Sequence, residues 1–211
     1  MKVMKQRKIR SADAGTAGLV YDLLRDRSAY ACTDVGICQK KRIRIARIYN
    51  GKPVTTIGWQ AFSDCRDLIG VTVPEGVTEI GYLAFLDCVN LKRIKISKSV
   101  KIVGEESFRG CSSLKKITIP DGVERIGEGA FRRCVALKSV TVGRGVTDIG
   151  EYALEDCGSL AGVRFMRLDG WRCIHPETGE ERSFSAQELS DPCQAAKYFT
   201  ETYRAYTWKR N

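Results

Sequence analysis

The sequence predicts an α/β repeat solenoid, a short coil of stacked parallel strands capped by N-terminal β-strands and a C-terminal helix. Three observations predict it. Cys65, Cys88, Cys111, Cys134 and Cys157 stand 23 residues apart. Aligned on them, segments opening at Val54, Val77, Val100, Val123 and Val146 read V-x-x-I/V-G-x-x-A/S-F/L-x-x-C-x-x-L-x-x-I/V-x-I/V/F, then a turn. Glycine recurs at 58, 81, 104, 127 and 150. Self-similarity at such a period marks units that bury their apolar faces only against their neighbours. Function must then be read from surfaces, not from a pocket.

The elements follow in chain order. Residues 1–18 are basic, then rich in Ala, Gly and Ser, without hydrophobic periodicity, and read as a flexible tail. Residues 19–53 form an N-terminal β cap, with strands expected at Leu19 to Leu23, Ala29 to Val35 and the alternation Arg42-Ile43-Arg44-Ile45. A cap is needed because a bare end rung would leave core surface in water. Residues 54–168 hold five repeats, at 54–76, 77–99, 100–122, 123–145 and 146–168.

Within each repeat, an element such as Leu68-x-x-Val71-x-Val73 is β-branched and alternating, and supplies one strand of a parallel stack. Turns such as Pro74-Glu75-Gly76 and Pro120-Asp121-Gly122 close it, and a second short extended piece, Val123 to Ile126 for instance, precedes the recurring glycine. That glycine implies a special backbone geometry or a close approach that a Cβ would obstruct. The Ala-Phe pairs then fit a helical turn, with Phe62, Phe85, Phe108 and Phe131 stacking inside and Leu154 ending the ladder. Residues 169–211 are an aromatic helical cap: Asp191 is a sound N-cap with Pro192 at the first helical position, and Ala195, Ala196, Phe199, Tyr203 and Tyr206 share one helical face. These aromatics read as a seal on the last rung rather than a sugar-binding platform.

The stretch Cys111-Ser112-Ser113-Leu114-Lys115-Lys116-Ile117-Thr118-Ile119-Pro120-Asp121-Gly122-Val123-Glu124-Arg125-Ile126-Gly127-Glu128-Gly129-Ala130-Phe131 resembles the BspA-like leucine-rich repeats, whose consensus is close to C-x-x-L-x-x-I-x-I-P-x-x-V-x-x-I-G-x-x-A-F-x-x. The resemblance spans roughly Asn50 to Phe165. It implies a right-handed leucine-rich-repeat coil, with N-terminal strands covering the first repeat and Tyr49 to Val54 as the leading turn. It also implies protein–protein interaction or adhesion, often at a microbial cell surface, and so a surface or secreted location. The segment from Leu189 to Arg210 looks like a tail found in some proteins of this kind.

Composition narrows the remaining classes. With 211 residues and 43% apolar content, one elongated domain holds a substantial core. No run of 18 apolar residues offers a spanning helix, and the first 18 residues lack the apolar stretch of a signal peptide. If Met1 is the native start, the expectation is cytoplasmic. Nine cysteines, five of them at one repeat position, read as a ladder of small buried hydrophobes rather than a disulfide framework. His175 is the only histidine; with Cys173 and Cys193 it makes an incomplete zinc set lacking a fourth ligand. No phosphate loop, dinucleotide fingerprint or serine-hydrolase elbow occurs, so no enzyme and no cofactor is expected. Glu105, Glu106, Glu128 and Glu151 read as a solvated face.

One constellation emerges only when the repeats are stacked. Three columns flank the inward strand residues: Ile69, Lys92, Lys115, Lys138 and Ala161; Gly70, Arg93, Lys116, Ser139 and Gly162; Thr72, Lys95, Thr118, Thr141 and Arg164. The last two alternate with Val71, Ile94, Ile117 and Val140 and should face outward. The candidate partner-binding face is therefore Lys92, Arg93, Lys95, Lys115, Lys116, Lys138 and Arg164, with Thr72, Thr118 and Thr141 supplying neutral hydrogen bonds. With a formal net charge of +10, such a face suits an anionic macromolecule, an acidic protein or a surface glycan. Nucleic acid fits poorly, because no aromatics interleave with the cations. The bland use of such lysines is to keep an exposed sheet soluble. The resulting expectation is a monomeric, non-catalytic recognition protein; the competing one is an intracellular scaffold without an adhesion role. Lys40, Lys41, Arg42, Arg44 and Arg47 read as solvated charge in the cap, as do Lys2, Lys5, Arg7, Lys8 and Arg10 in the tail.

Overall fold

The β-branched alternations become strands in the computed structural model, which describes residues 15–36 and 39–211. β1 (Val20–Leu23) and β2 (Tyr30–Asp34) form an antiparallel pair, β3 (Arg42–Arg44) follows, and β4 (Ile48–Tyr49) turns back on β5 (Lys52–Ile57). Each repeat then contributes two short strands: β6 (Gly70–Thr72) and β7 (Glu79–Ile80), β8 (Arg93–Lys95) and β9 (Ile102–Val103), β10 (Lys116–Thr118) and β11 (Arg125–Ile126), β12 (Ser139–Val142) and β13 (Asp148–Ile149). β14 (Gly162–Phe165) ends the series. The cap follows with β15 (Trp171–Ile174), β16 (Glu181–Ser183), α1 (Ala186–Ser190), α2 (Pro192–Lys197), a π-helical turn over Tyr198–Thr202, and β17 (Thr207–Arg210).

The second strand of every turn builds one continuous sheet in the order β1-β2-β5-β7-β9-β11-β13-β17-β15-β16, parallel from β2 to β13 and antiparallel where β1 and β17 close its ends. The first strands build two separate sheets, β3-β6-β8 and β10-β12-β14. The coil has about six turns, one more than the cysteines mark, because β3 pairs in parallel with β6, Arg42 opposite Gly70 and Arg44 opposite Thr72. That first turn escapes the 23-residue ruler because 28 residues separate Arg42 from Gly70, the excess being taken up by the β4–β5 hairpin.

The end of the expected flexible tail is tied to this rung: the Thr16 amide donates to the Arg44 carbonyl at 2.8 Å and the Arg44 amide to Thr16 Oγ1 at 2.8 Å. Residues 1–14 of that tail lie outside the described residues.

The segment around each Ala-Phe pair is a chain of tight turns instead of the expected helical turn. Two positions per repeat take left-handed backbone: Gln60, Leu83, Glu106, Gly129 and Tyr152, and then Asp64, Asp87, Gly110, Arg133 and Asp156. The reason is hydrogen bonding between coils. A helix would turn its amides onto its own carbonyls, whereas here alternate amides reach the next coil: Leu83 to the Glu105 carbonyl, Phe85 to Ser107 and Asp87 to Arg109, at 2.8 to 3.1 Å. The C-terminal cap continues the pattern, its Arg204 carbonyl accepting from the Tyr152 amide at 2.7 Å. Buried backbone polar groups are thereby satisfied on every turn.

Inside, the four phenylalanines stack at 5.1, 5.2 and 5.4 Å with rings within 5° of parallel, and Leu154 is buried beyond them. Beside them, the thiols of Cys88, Cys111, Cys134 and Cys157 each donate to the phenylalanine carbonyl of the preceding coil, at 3.0 to 3.3 Å. The cysteine is thus a packing residue with one polar task. Burial pushes the Cys111 and Cys134 thiols well above their usual range and the Cys157 and Cys32 thiols up to about 12.

An acid whose folded pKa is raised stabilises the fold below its unfolded pKa, and that stability is lost as pH rises. Here unfolded thiols ionise from near pH 9 while folded ones keep their protons to about 12. Each buried thiol should cost up to about 1.4 kcal/mol of stability per pH unit across that window. Urea midpoints should hold steady below about pH 8.5 and fall above it, less steeply in Cys111→Ala. A midpoint unmoved by alkali in the wild-type chain would contradict this.

The C-terminal cap is more strand-rich than its sequence suggests. Asp191 caps α2, accepting from the Cys193 amide at 2.9 Å, and Pro192 opens the helix as expected. α1 adds a capping box between Ser185 and Glu188. Ala195, Ala196 and Phe199 are buried, but the helical run stops at Thr202, before Tyr203 and Tyr206. Trp208, fully buried on β17, stacks on Phe199 at 4.3 Å and on Phe184 at 4.7 Å, and Phe165 of the last rung meets Trp171 at 5.0 Å. The large aromatics seal the coil's apolar end.

Candidate functional site

The strand face is set by alternation. Val71, Ile117, Val140 and Val163 point into the core and are buried, so Arg93, Lys95, Lys116, Thr118, Ser139 and Arg164 stand outward and are exposed. The expected columns form in register: Gly70 opposite Arg93 and Thr72 opposite Lys95, then Lys116 opposite Ser139, Thr118 opposite Thr141 and Thr141 opposite Arg164. The first turn lengthens two of them, since Arg42 precedes Gly70 and Arg44 precedes Thr72. These two arginines belong to the face and not to a solvated cap. Their signal was present in Arg42-Ile43-Arg44-Ile45, which matches Arg93-Ile94-Lys95-Ile96, but the longer spacing hid it.

Five of the predicted cations, Lys92, Arg93, Lys95, Lys115 and Lys116, gather with Arg42, Thr72 and Thr118 around one concavity of about 900 Å³. Among the described residues no carboxylate lines it. Lys138, Thr141 and Arg164 lie beyond it, on and beside β12 and β14. Among the described residues none of the seven predicted cations has an ion-pair partner, whereas Lys101, Arg109, Arg132 and Arg144 on other surfaces are paired with Glu124, Glu106, Glu155 and Asp121. Lys98, Arg125 and Lys197 also lack an ion-pair partner among the described residues, so what sets the face apart is that its unpaired cations are gathered around one concavity.

The concavity coincides with a break in the sheet. No backbone hydrogen bond joins β8 to β10, although the equivalent bonds are present on either side: Lys92 amide to Ile69 carbonyl at 2.9 Å, and Lys138 amide to Lys115 carbonyl at 2.8 Å. Ile94, in the inward position of β8, is only half-buried as a result. Behind it, β9 and β11 remain paired, so the coil is intact on one side and parted on the other.

The other candidate chemistry is not assembled. Cys173 is buried on β15, Cys193 is exposed on α2, and His175 Nδ1 accepts from the Glu177 and Thr178 amides at 3.3 and 3.2 Å. His175 therefore shapes a turn, with its ring against Tyr206 at 4.9 Å. Among the described residues no three His, Cys, Asp or Glu side chains are placed to hold a metal ion. Glu128 sits on the acidic column; slight burial and then Glu151 and Glu105 raise its carboxyl pKa. No helix among the described residues is long and apolar enough to cross a membrane.

A sequence model of the BspA type leucine rich repeat region matches residues 39–161, in six copies. Among solved structures, a leucine rich repeat protein of T. pallidum is similar at 31% identity and a TM-score of 0.67, over 70% of this chain and 68% of that one. A leucine rich cell surface protein of Faecalibacterium prausnitzii is similar at 30% identity and 0.64 over 72% of this chain, and a leucine-rich repeat protein of Bacteroides ovatus at 31% and 0.62 over 69%. This chain spans only 38% and 39% of those two. None of the curated proteins matches it.

Proposed function

The chain belongs to the BspA-type leucine-rich repeat family, and from that premise we propose that it is a non-catalytic recognition module whose strand face binds an acidic protein in an interaction or adhesion role. The observation that carries this reading is the set of cations around the concavity, close together and, among the described residues, without carboxylate partners. Holding like charges near one another costs stability, and an anionic partner relieves that cost. Arg42, Arg93, Lys95 and Lys116 supply the field, Thr72, Thr118 and Thr141 neutral hydrogen bonds, and Lys138 and Arg164 extend the face toward the C-terminal cap. The likeness to a leucine rich cell surface protein supports adhesion as the setting.

Cations at an interface act first on encounter rate. Reversing charge at Lys95 and Lys116 together should slow association with immobilised poly-glutamate by roughly tenfold at low salt, and flatten its dependence on ionic strength. Lys101→Glu with Lys197→Glu, which changes net charge equally away from the face, should do far less. Equal losses in both double variants would mean that total charge matters and the face does not.

A further inference from the structure

Within the strands of this face, every hydrogen-bonded junction sets its cations opposite a neutral residue. Arg42 and Arg93 face Gly70, Arg44 and Lys95 face Thr72, Lys116 faces Ser139, and Arg164 faces Thr141. The repeat register would set Arg93 opposite Lys116 at the β8–β10 junction, the one place in these strands where two cations would stand opposite each other. This is the junction at which the ladder is open. Like charges directly opposed across strands are destabilising, which gives the break a physical cause. The turn after β8 is tied to the preceding coil, Ser97 donating to the Pro74 carbonyl and Ser99 to the Val77 carbonyl, each at 2.8 Å.

We propose that the split between β8 and β10 is a clasp for an extended acidic peptide with carboxylates at alternate positions, which bridges Arg93 to Lys116 and draws the two half-sheets together. The proposal rests on the strand-face reading and adds the ligand's form and its consequence. Outward residues two apart on a strand are about 6.7 Å apart, the same spacing as alternate side chains of an extended peptide. A carboxylate between Arg93 and Lys116 therefore puts the next one of its face within reach of Lys95. Arginine suits the bridging position because its planar fork binds a carboxylate in bidentate fashion. With the repulsion neutralised, the Lys115 amide can reach the Lys92 carbonyl and the Ile96 amide the Thr118 carbonyl, as their equivalents do in neighbouring rungs, and Ile94 becomes fully covered.

The test is amide hydrogen exchange followed by NMR on the full chain, with a peptide of about twelve alternating Glu and Thr residues, its Gln-for-Glu counterpart, and a heparin oligosaccharide as probes. The acidic peptide should bind and slow exchange at the Lys115 and Ile96 amides by roughly tenfold, while the Lys138 amide, already bonded, serves as a folding control. Lys116→Glu, which places a carboxylate opposite Arg93, should protect the same two amides without peptide and weaken peptide binding. Binding that is abolished by Lys95→Glu but leaves both amides unprotected would retain the face and remove the clasp. No binding of the acidic peptide would remove both, and protection by heparin alone would overturn the peptide assignment. Unprotected amides in Lys116→Glu would show that charge does not hold the junction open.

Discussion

Phe108→Ala should lower stability by about 4 kcal/mol and melt the chain roughly 8–16 °C early, a loss that a thermal scan reads directly. Its ring is fully buried and stacks on two others, Phe85 at 5.2 Å and Phe131 at 5.4 Å. Truncation opens a cavity in the middle of the ladder and removes both stacks, each worth roughly 0.5–1.5 kcal/mol beyond burial. A solenoid has no distant contacts to compensate, since each coil is held only by its neighbours. The damage should therefore appear as uncoupling, with the N-terminal and C-terminal halves unfolding in separate steps. Phe108→Leu should cost much less, because Leu154 already fills this position in the last coil. A variant melting like the wild type would mean that the ring ladder is decorative and that the strands alone hold the coil.

Gly127→Ala should be worse than its size suggests. A Cβ there would lie 2.5 Å from the Glu105 amide nitrogen and 2.7 Å from the Glu105 Cα, both backbone atoms of the preceding coil. Relief requires β9 and β11 to separate, and these hold the coil together where the strand face has parted. We expect a cost of about 3 kcal/mol or more, at the upper end of overpacking effects. Gly58→Ala is the matched control. Its Cβ would be tight only against the Thr33 Cγ2 at 3.2 Å, with the Cys32 carbonyl oxygen at 3.4 Å and the Thr33 Cα at 3.5 Å in ordinary contact, so it should cost under about 1 kcal/mol. The two denaturant midpoints distinguish a close-approach requirement from a mere preference for glycine, and equal midpoints would refute the former.

How much was readable in the sequence differs by element. The thiol and ring ladders, the crowded glycine and the outward strand columns all follow from the 23-residue repeat, because stacking turns a sequence interval into a spatial neighbour. The first turn was hidden where five additional residues shift the interval. The left-handed turns beside Ala61 and Phe62 look helical in the sequence, since an isolated Ala-Phe segment gives no sign that its amides bond to the next coil rather than to its own. Trp171, Arg172 and Cys173 form a strand where the sequence suggests a helical cap, because they pair with β17, which itself adds to the open edge of β13, so the choice rests on partners far away in the chain.

By itself the sequence determined the repeat, its period, which side chains face inward and which cations of the five regular repeats share a face, because those depend on periodicity and on the alternation of a strand. Only the tertiary structure decided that the face is parted between β8 and β10 and that its cations lack carboxylates. Both depend on which side chains one period apart come to stand opposite each other once the coils are stacked, which no single repeat contains.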